Sequence, residues 1–447
     1  MKIQQFYDKN LSHASYAILS EGEVALVDPA RDPQQYYDFA TDHNATIVYV
    51  LETHPHADFV SSHLQIHKDT DATILINDLA GALYEYESFN NEDEKALGKL
   101  TIKALHTPGH SPDSNSYLVT DIQTNEQALF TGDFLFIGDV GRPDLRENVG
   151  NTQQARQALA QAMHNSITTV LPILDNDVII YPAHGAGSLC GKNLSKELYD
   201  TLGNQRKTNW ALQKAVSKED FVKTLLTDQP YIPKYFTHSV ELNRNGASDF
   251  QGSFKDTKMG YEALTNDTSL LIIDTRSSED YQNGSYEKAM NIPAGESDKF
   301  ETWLGSIIAP EEEFVLIVES KEVANLIYAR IQKIGYEKNI KGFYVADDNL
   351  AVKNVLPVES DTIDQQKYLI LDIRQESEHL VKQAFENTQN VPLPTLRESL
   401  DSLPIDKPII VHCAGGYRSA IGASIIAYSY PDLEVYDLGT RINNYLK

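Results

Sequence analysis

Thr53-His54-Pro55-His56-Ala57-Asp58-Phe59 closes the apolar run ATIVYVLETH (45–54), and its reading decides how the first half of the chain folds. The run reads as a buried strand ending in a polar turn. Three groups able to bind a metal, His54, His56 and Asp58, fall within five residues on one loop, a density that suits a metal site. Three further loops repeat the arrangement. His110 lies in HTPGHSPDS, Asp133 in FTGDFLF and His184 in YPAHGAG, each following or ending an apolar strand. Strand ends converge on one edge of a sheet, so these groups can meet in space. His and Asp are also ordinary turn residues, but four such loops in this order argue against that plainer reading.

Upstream, AILSEGEVALVDPA (17–30) reads as a hairpin. Downstream, residues ~200–240 are polar and predicted helical, closed by Pro230 and Pro233, and read as a connector. The N-terminal part is thus predicted to be a layered α/β domain with its site at the strand ends.

The remainder contains a repeat. LLIIDTRSSEDYQNGSYEKAMNIP at Leu270–Pro293 matches YLILDIRQESEHLVKQAFENTQNVP at Tyr368–Pro392, with Asp274 and Arg276 opposite Asp372 and Arg374. Each copy has a second apolar strand, FVLIVES and PIIVHCAGG. A unit of about 100 residues seen twice means two similar domains, not a solenoid of short repeats. Interleaved strands and helices predict parallel sheets covered on both faces.

VHCAGGYRSA at Val411–Ala420 joins a strand to the helical run AIGASIIAY. A cysteine on such a loop has its thiolate stabilised by backbone N–H groups and the helix dipole. Gly415 and Gly416 leave that cradle open, Tyr417 lines it, and Arg418 adds positive charge for a sulfur anion. Aligning LIVESKEVAN with IIVHCAGGYR sets Ser320 opposite Cys413, without the glycines. A serine hydroxyl cannot carry transferable sulfur as a thiolate can, so the middle copy reads as a degenerate scaffold or interface.

The composition bounds the function classes. The formal charge of −26 argues against a nucleic-acid surface. Two cysteines, Cys190 and Cys413, exclude a disulfide scaffold. No apolar stretch of about 18 residues suggests a membrane span. The first residues lack the apolar core of a signal peptide, so a cytoplasmic location is expected.

The ligand order resembles the metallo-β-lactamase superfamily, whose pattern is HxHxDH, a downstream His, a bridging Asp and a last His. Phe59 stands where the pattern has its next His, a residue that helps hold a second metal. That departure disfavours a binuclear zinc hydrolase of glyoxalase II type. VHCAGGYRSA and LDIRQESE (371–378) resemble the active loop and the LDVRxxxE strand of rhodaneses. HGAGSLCGK (184–192) and GDVGRPDL (Gly138–Leu145) are similar to persulfide dioxygenases that carry fused rhodanese domains.

The resemblance implies one Fe(II) per chain on His54, His110 and Asp133, a set that suits non-haem iron oxygenases. His56, Asp58 and His184 would orient ligands or hold water. Arg142 would meet an anionic part of the substrate or form a surface salt bridge. Cys190 would lie near the substrate channel or serve as a small buried filler. The implied chemistry is oxidation of a small thiol persulfide by O2 to sulfite, followed by conversion of sulfite to thiosulfate at Cys413. The rivals are a zinc thioester hydrolase with an appended sulfurtransferase, and a non-oxidative persulfide carrier. The oligomeric state stays open, a homo-oligomer included. The expected architecture is multidomain α/β and α+β. An αββα metallo-β-lactamase fold with its connector occupies 1–240, a degenerate rhodanese-like domain 241–355 and a catalytic rhodanese domain 356–447.

Overall fold

The computed structural model describes residues 1–144, 152–213, 216–254, 258–266, 270–360 and 362–446. Leu145, the last residue of the Gly138–Leu145 motif, lies outside them. The chain divides into two compact units. One is Met1–Phe250 with Gln332–Gly335; the other is Gln251–Ile331 with Tyr336–Lys447. The first unit thus runs past residue 240, because the helix Tyr235–Asn245 belongs to it.

Two six-stranded sheets form the centre of the first unit. One holds β1 (Lys2–Asp8), β2 (His13–Ser20), β3 (Glu23–Val27), β4 (Thr46–Leu51), β5 (Thr73–Ile76) and β6 (Glu87–Ser88), side by side in that order. The other holds β7 (Glu94–Leu97), β8 (Leu100–His106), β9 (Asn115–Asp121), β10 (Gln127–Gly132), β11 (Ile179–Pro182) and β12 (Asp200–Thr201), again in sequence. The expected hairpin is the antiparallel β2–β3 pair.

Alternation along the strands builds the layers. Ala14, Tyr16 and Ile18 of β2 join Ile102, Tyr117 and Phe130 of the other sheet in a shared core. Ala17, on the opposite face of β2, packs with Tyr36, Phe39 and Ile66 from the helices Gln34–Asp42 and His63–Thr70. Leu105, Leu118 and Leu129 pack against Met163 and Ile167 of the helix Thr152–Val170. The order of layers is αββα. The expected connector contains the helices Leu202–Thr208, Lys218–Leu226 and Tyr235–Asn245.

The second unit holds two parallel sheets. β13 (Leu271–Asp274), β14 (Met290–Asn291), β15 (Phe314–Val318) and β16 (Ile340–Val345) lie in the order β14-β13-β15-β16. β17 (Leu356–Pro357), β18 (Leu369–Asp372), β19 (Thr388–Asn390), β20 (Ile409–His412) and β21 (Val435–Asp437) lie in the order β17-β21-β20-β18-β19. The repeat survives at atomic detail. Arg276 Nη2 donates to Asp274 Oδ2 at 2.6 Å, as Arg374 Nη2 does to Asp372 Oδ2 at 2.6 Å. Asn291 and Asn390 then hold the same two carbonyls of their own copies.

The sheet register corrects one alignment. Asp274 pairs with Ile317, whereas Asp372 pairs with His412. Val318, not Ser320, therefore stands opposite Cys413. The loop after β15 is shorter than the loop after β20, and an ungapped alignment cannot detect that. Ser320 is instead the N-cap of the helix Lys321–Gln332, its Oγ accepting from Val323 N at 3.2 Å.

Candidate metal centre and sulfur-transfer loop

β8, β10 and β11 run in one direction, because β9 is antiparallel to both β8 and β10 while β11 is parallel to β10. Their ends deliver the loops of His110, Asp133 and His184 to one edge, and β4 delivers His54 to Phe59 from the facing sheet. Two glycines allow the close approach. Gly132 has φ +52° and lies so near Thr53 that a Cβ would sit 2.5 Å from Thr53 Oγ1. A Cβ on Gly141 would come within 1.9 Å of the Asp133 carbonyl.

His54, His110 and Asp133 are buried and offer ligand atoms that all lie within 4.8 Å of one another. Asp133 Oδ2 is 3.8 Å from His54 Nε2 and 3.5 Å from His110 Nε2. It accepts no hydrogen bond among the described residues although it is buried. Such an acceptor needs a partner, and a cation between two imidazoles and a carboxylate supplies one.

The other ring nitrogens are already committed. His110 Nδ1 donates to the Arg142 carbonyl at 2.8 Å. His54 Nδ1 donates to Thr53 Oγ1 at 3.0 Å, and that hydroxyl donates to Asp28 Oδ2 at 2.8 Å. Both Nε2 atoms are thereby set toward Asp133, the arrangement that fixes metal-binding histidines. These residues fit a metal.

His184 lies beside this cluster. Its Nδ1 is 2.6 Å from Asp133 Oδ1 and its Nε2 2.8 Å from Asp58 Oδ2. Burial works against its charge, but the Asp133 and Asp58 carboxylates prevail and hold its pKa well above the usual imidazole value. Burial likewise opposes the Asp133 charge, and His184, His110 and His54 outweigh it, holding the carboxyl well below its usual range. His56 stacks near His54, ring centroids 4.1 Å apart, with its Nε2 3.3 Å from Asp28 Oδ1. Cys190 is buried here too, its ligand atom within 4.8 Å of those of Asp58 and His184. Burial, with the Asp58 and Asp133 carboxylates, pushes its thiol pKa well up.

Arg142 is not on the surface. It is 1% exposed, and its guanidinium is paired with Asp144 at 2.6 and 2.7 Å and with the carbonyls of Leu189 and Tyr231. Its backbone is what serves the site. Its N–H donates to the Cys190 carbonyl at 2.9 Å, and its own carbonyl receives His110.

Three supporting residues escaped the sequence reading. Asp28, at φ +49°, receives the Thr53 N–H and hydroxyl. That is a strained backbone in the metal shell. Asn243 donates to the carbonyls of His56 and Phe59 at 2.9 and 2.7 Å and accepts from Ser61 N at 2.8 Å. His13 stacks on Phe59 at 3.8 Å between centroids, 5.6 Å from the His184 ring. Only a strand opening and a helix end far from the motif carry His13 and Asn243, so spacing held no signal for either.

Cys413 follows β20 at the start of the helix Tyr417–Ser429 and is 2% exposed. Gly416 N–H donates to its Sγ at 3.1 Å. Gly416 needs to be glycine, at φ +104° with the Gly439 backbone 3.0 Å from a built Cβ, whereas a Cβ at Gly415 would meet nothing. Arg418 makes a two-pronged pair with Glu378 at 2.7 and 2.8 Å. Tyr417 Oη donates to the Pro293 carbonyl at 2.8 Å. A cavity of about 410 Å³ beside the loop is lined by Gly415, Gly416 and Tyr417, and by Ser278, Gln282 and Pro293 of the middle domain.

The chain is similar to several known proteins. The profile of the metallo-beta-lactamase superfamily matches residues 9–184, and that of the rhodanese-like domain matches 259–346 and 360–441. A solved metallo-beta-lactamase from Staphylococcus aureus subsp. aureus COL is 32% identical, covering 77% of this chain and 99% of that one at a TM-score of 0.70. The cytoplasmic hydroxyacylglutathione hydrolase of Arabidopsis thaliana is 29% identical over 51% of this chain and 81% of its own length. A solved ETHE1 from Myxococcus xanthus is 26% identical over 55% of this chain and 98% of that one, with a TM-score of 0.46. No helix among the described residues is long and apolar enough to cross a membrane. The chain belongs to the metallo-β-lactamase superfamily, and two rhodanese-like domains follow its N-terminal domain.

Proposed function

We propose that this chain oxidises small thiol persulfides with O2 to sulfite and then combines sulfite with a second sulfane sulfur to give thiosulfate. One juxtaposition carries the reading: a two-histidine, one-carboxylate cluster and a cysteine on a rhodanese-type loop occur in the same chain.

His54, His110 and Asp133 would hold one Fe(II). When bound, iron supplies redox chemistry and open positions for a persulfide sulfur and O2. Around it, Asp28 through Thr53 and the Arg142 carbonyl hold the two imidazoles in one tautomer. His56, Asp58 and His184 would orient these groups or hold water.

In the last domain Cys413 thiolate attacks the outer sulfur of a persulfide. The S–S bond breaks, the small thiol leaves, and Cys413 becomes a persulfide. Sulfite attacks that outer sulfur, thiosulfate forms, and Cys413 thiolate returns. Gly416 N–H stabilises the sulfur in both states, with the helix dipole behind it. Arg418 would hold the sulfite or thiosulfate anion while remaining anchored to Glu378.

Likeness to hydroxyacylglutathione hydrolase favours a second reading, a zinc thioester hydrolase with an attached sulfurtransferase. Phe59 counts against it, since it brings no donor atom to a second zinc. Oxygen uptake with a thiol persulfide, with metal content measured on anaerobically purified protein, separates the readings. About one iron per chain and oxygen uptake lost in His110→Ala supports the dioxygenase. Two zinc ions with thioesterase activity and no uptake supports the hydrolase, and sulfur relay without uptake supports a carrier.

A further inference from the structure

A groove of about 960 Å³ in the first unit lies outside both sites. Residues of the helices Thr152–Val170, Leu202–Thr208 and Lys218–Leu226 wall it. Its size falls in the range of about 300–1,000 Å³ that small-molecule sites occupy. Ile167, Leu171, Pro172, Leu212 and Phe221 make the apolar part of the wall. Asn176, also in the wall, precedes β11, whereas His184 follows the other end of that strand. The groove and the metal cluster thus lie at opposite ends of β11.

The charge of the groove runs against that of the chain. The sequence has 64 Asp and Glu against 38 Lys and Arg, yet the described residues that line the groove include Arg206 and Lys207 and no Asp or Glu. Carboxylates neutralise neither cation. Arg206 donates to the carbonyls of Leu171 and Leu174 at 2.7 and 2.9 Å and to Asn176 Oδ1, all uncharged oxygens. A guanidinium has more N–H donors than these contacts use. Lys207 makes no ion pair among the described residues. His164 completes the wall. Its ring meets Phe221 edge-on at 5.3 Å between centroids, and its buried Nδ1 has no hydrogen-bond partner among the described residues. Burial, then the Lys218 cation, lowers its pKa below the usual imidazole value, so the neutral ring keeps one N–H to donate.

We infer that this groove binds a free amphipathic carboxylate, its headgroup on Arg206 and Lys207 and its alkyl chain along Leu171, Leu212 and Phe221. Apolar walls lower the local dielectric and strengthen the pull of the two cations on an anion. Burial of the alkyl chain adds affinity that a small inorganic anion lacks. The site depends on neither the metal nor the sulfur chemistry.

Equilibrium dialysis of the full-length protein against radiolabelled decanoate tests this. One saturable site per chain is expected. Decanol lacks the charge and acetate lacks the chain, so each should compete at least ~10-fold less well than decanoate itself. Lys207 is exposed, and Lys207→Gln should weaken decanoate binding at least ~10-fold, the loss expected for one charge-assisted contact. Thr168 is exposed and lines the groove, so Thr168→Trp fills the space and abolishes binding. His54→Ala and Cys413→Ser should bind decanoate as the parent does, which separates this site from the two already described. No saturable binding, binding unchanged in both Lys207→Gln and Thr168→Trp, or equal competition by decanol overturns the proposal. So does a dimer in sedimentation that Thr168→Trp dissociates and decanoate does not, which assigns the groove to a second copy of the chain.

Discussion

His184 Nδ1 lies 2.6 Å from Asp133 Oδ1, so the two oxygens of one buried carboxylate serve different imidazoles. An outer partner of this type fixes the direction of a ligand and holds it ionised. His184→Ala is expected to weaken metal binding about 10–100-fold without abolishing it. Equilibrium dialysis of Fe(II) under anaerobic conditions measures this, and unchanged affinity would detach His184 from the centre.

Asn243 makes the same kind of claim for the helix Tyr235–Asn245. It closes three hydrogen bonds to the His56–Ser61 loop. Asn243→Leu leaves those buried backbone groups unpaired, at about 1–3 kcal/mol for each group so stranded. Lower thermal stability of the apo protein together with weaker metal retention is expected. A variant that keeps parental metal affinity would show that the loop holds its own shape.

Arg142 separates a structural from a substrate role. Its guanidinium and the Asp144 carboxylate are buried together. Removing one partner strands the other, so Arg142→Ala should destabilise the chain by about 3–5 kcal/mol. Denaturant unfolding tests this. A rise in KM with unchanged stability would return Arg142 to substrate binding.

Asp437 gives a pH test in the last domain. Burial raises its carboxyl from the ordinary 3.8 to about 6. Stability from its protonated form is therefore full below the ordinary value and lost as pH rises through about 6. Asp437→Asn keeps the group neutral. Relative to the parent it should gain up to about 3 kcal/mol near pH 7–8 and little below pH 4, given ~1.4 kcal/mol per pKa unit. A gain independent of pH would contradict the assignment.

The sequence carried the parts that depend on local order. Strands ending in His or Asp, the hairpin at 17–30 and the Asp-Arg repeat are visible because each is a pattern along the chain. What it could not carry was set by partners far away. His13 meets Phe59 across 46 positions and Asn243 meets His56 across 187, with nothing periodic to announce either. Arg142 reads in the sequence as a substrate or surface cation, and the Leu189 and Tyr231 carbonyls that bury it lie 47 and 89 positions away. Ser320 was set opposite Cys413 because text alignment ignores a shortened loop, while the hydrogen-bonded register shows Val318 there. The same geometry implies that Ser320→Cys, added to Cys413→Ser, restores no sulfur transfer from thiosulfate to cyanide.

The central claim is that one chain divides two sulfur chemistries between separate domains. Cys413→Ser tests it most directly. The substitution changes one atom, and a serine hydroxyl is not ionised by the same cradle. The variant should consume oxygen with a thiol persulfide at the parental rate, with sulfite replacing thiosulfate as the main product. The two are resolved by chromatography after thiol-reactive labelling, with spontaneous thiosulfate formation subtracted. Thiosulfate formed by Cys413→Ser at the parental rate would contradict the account.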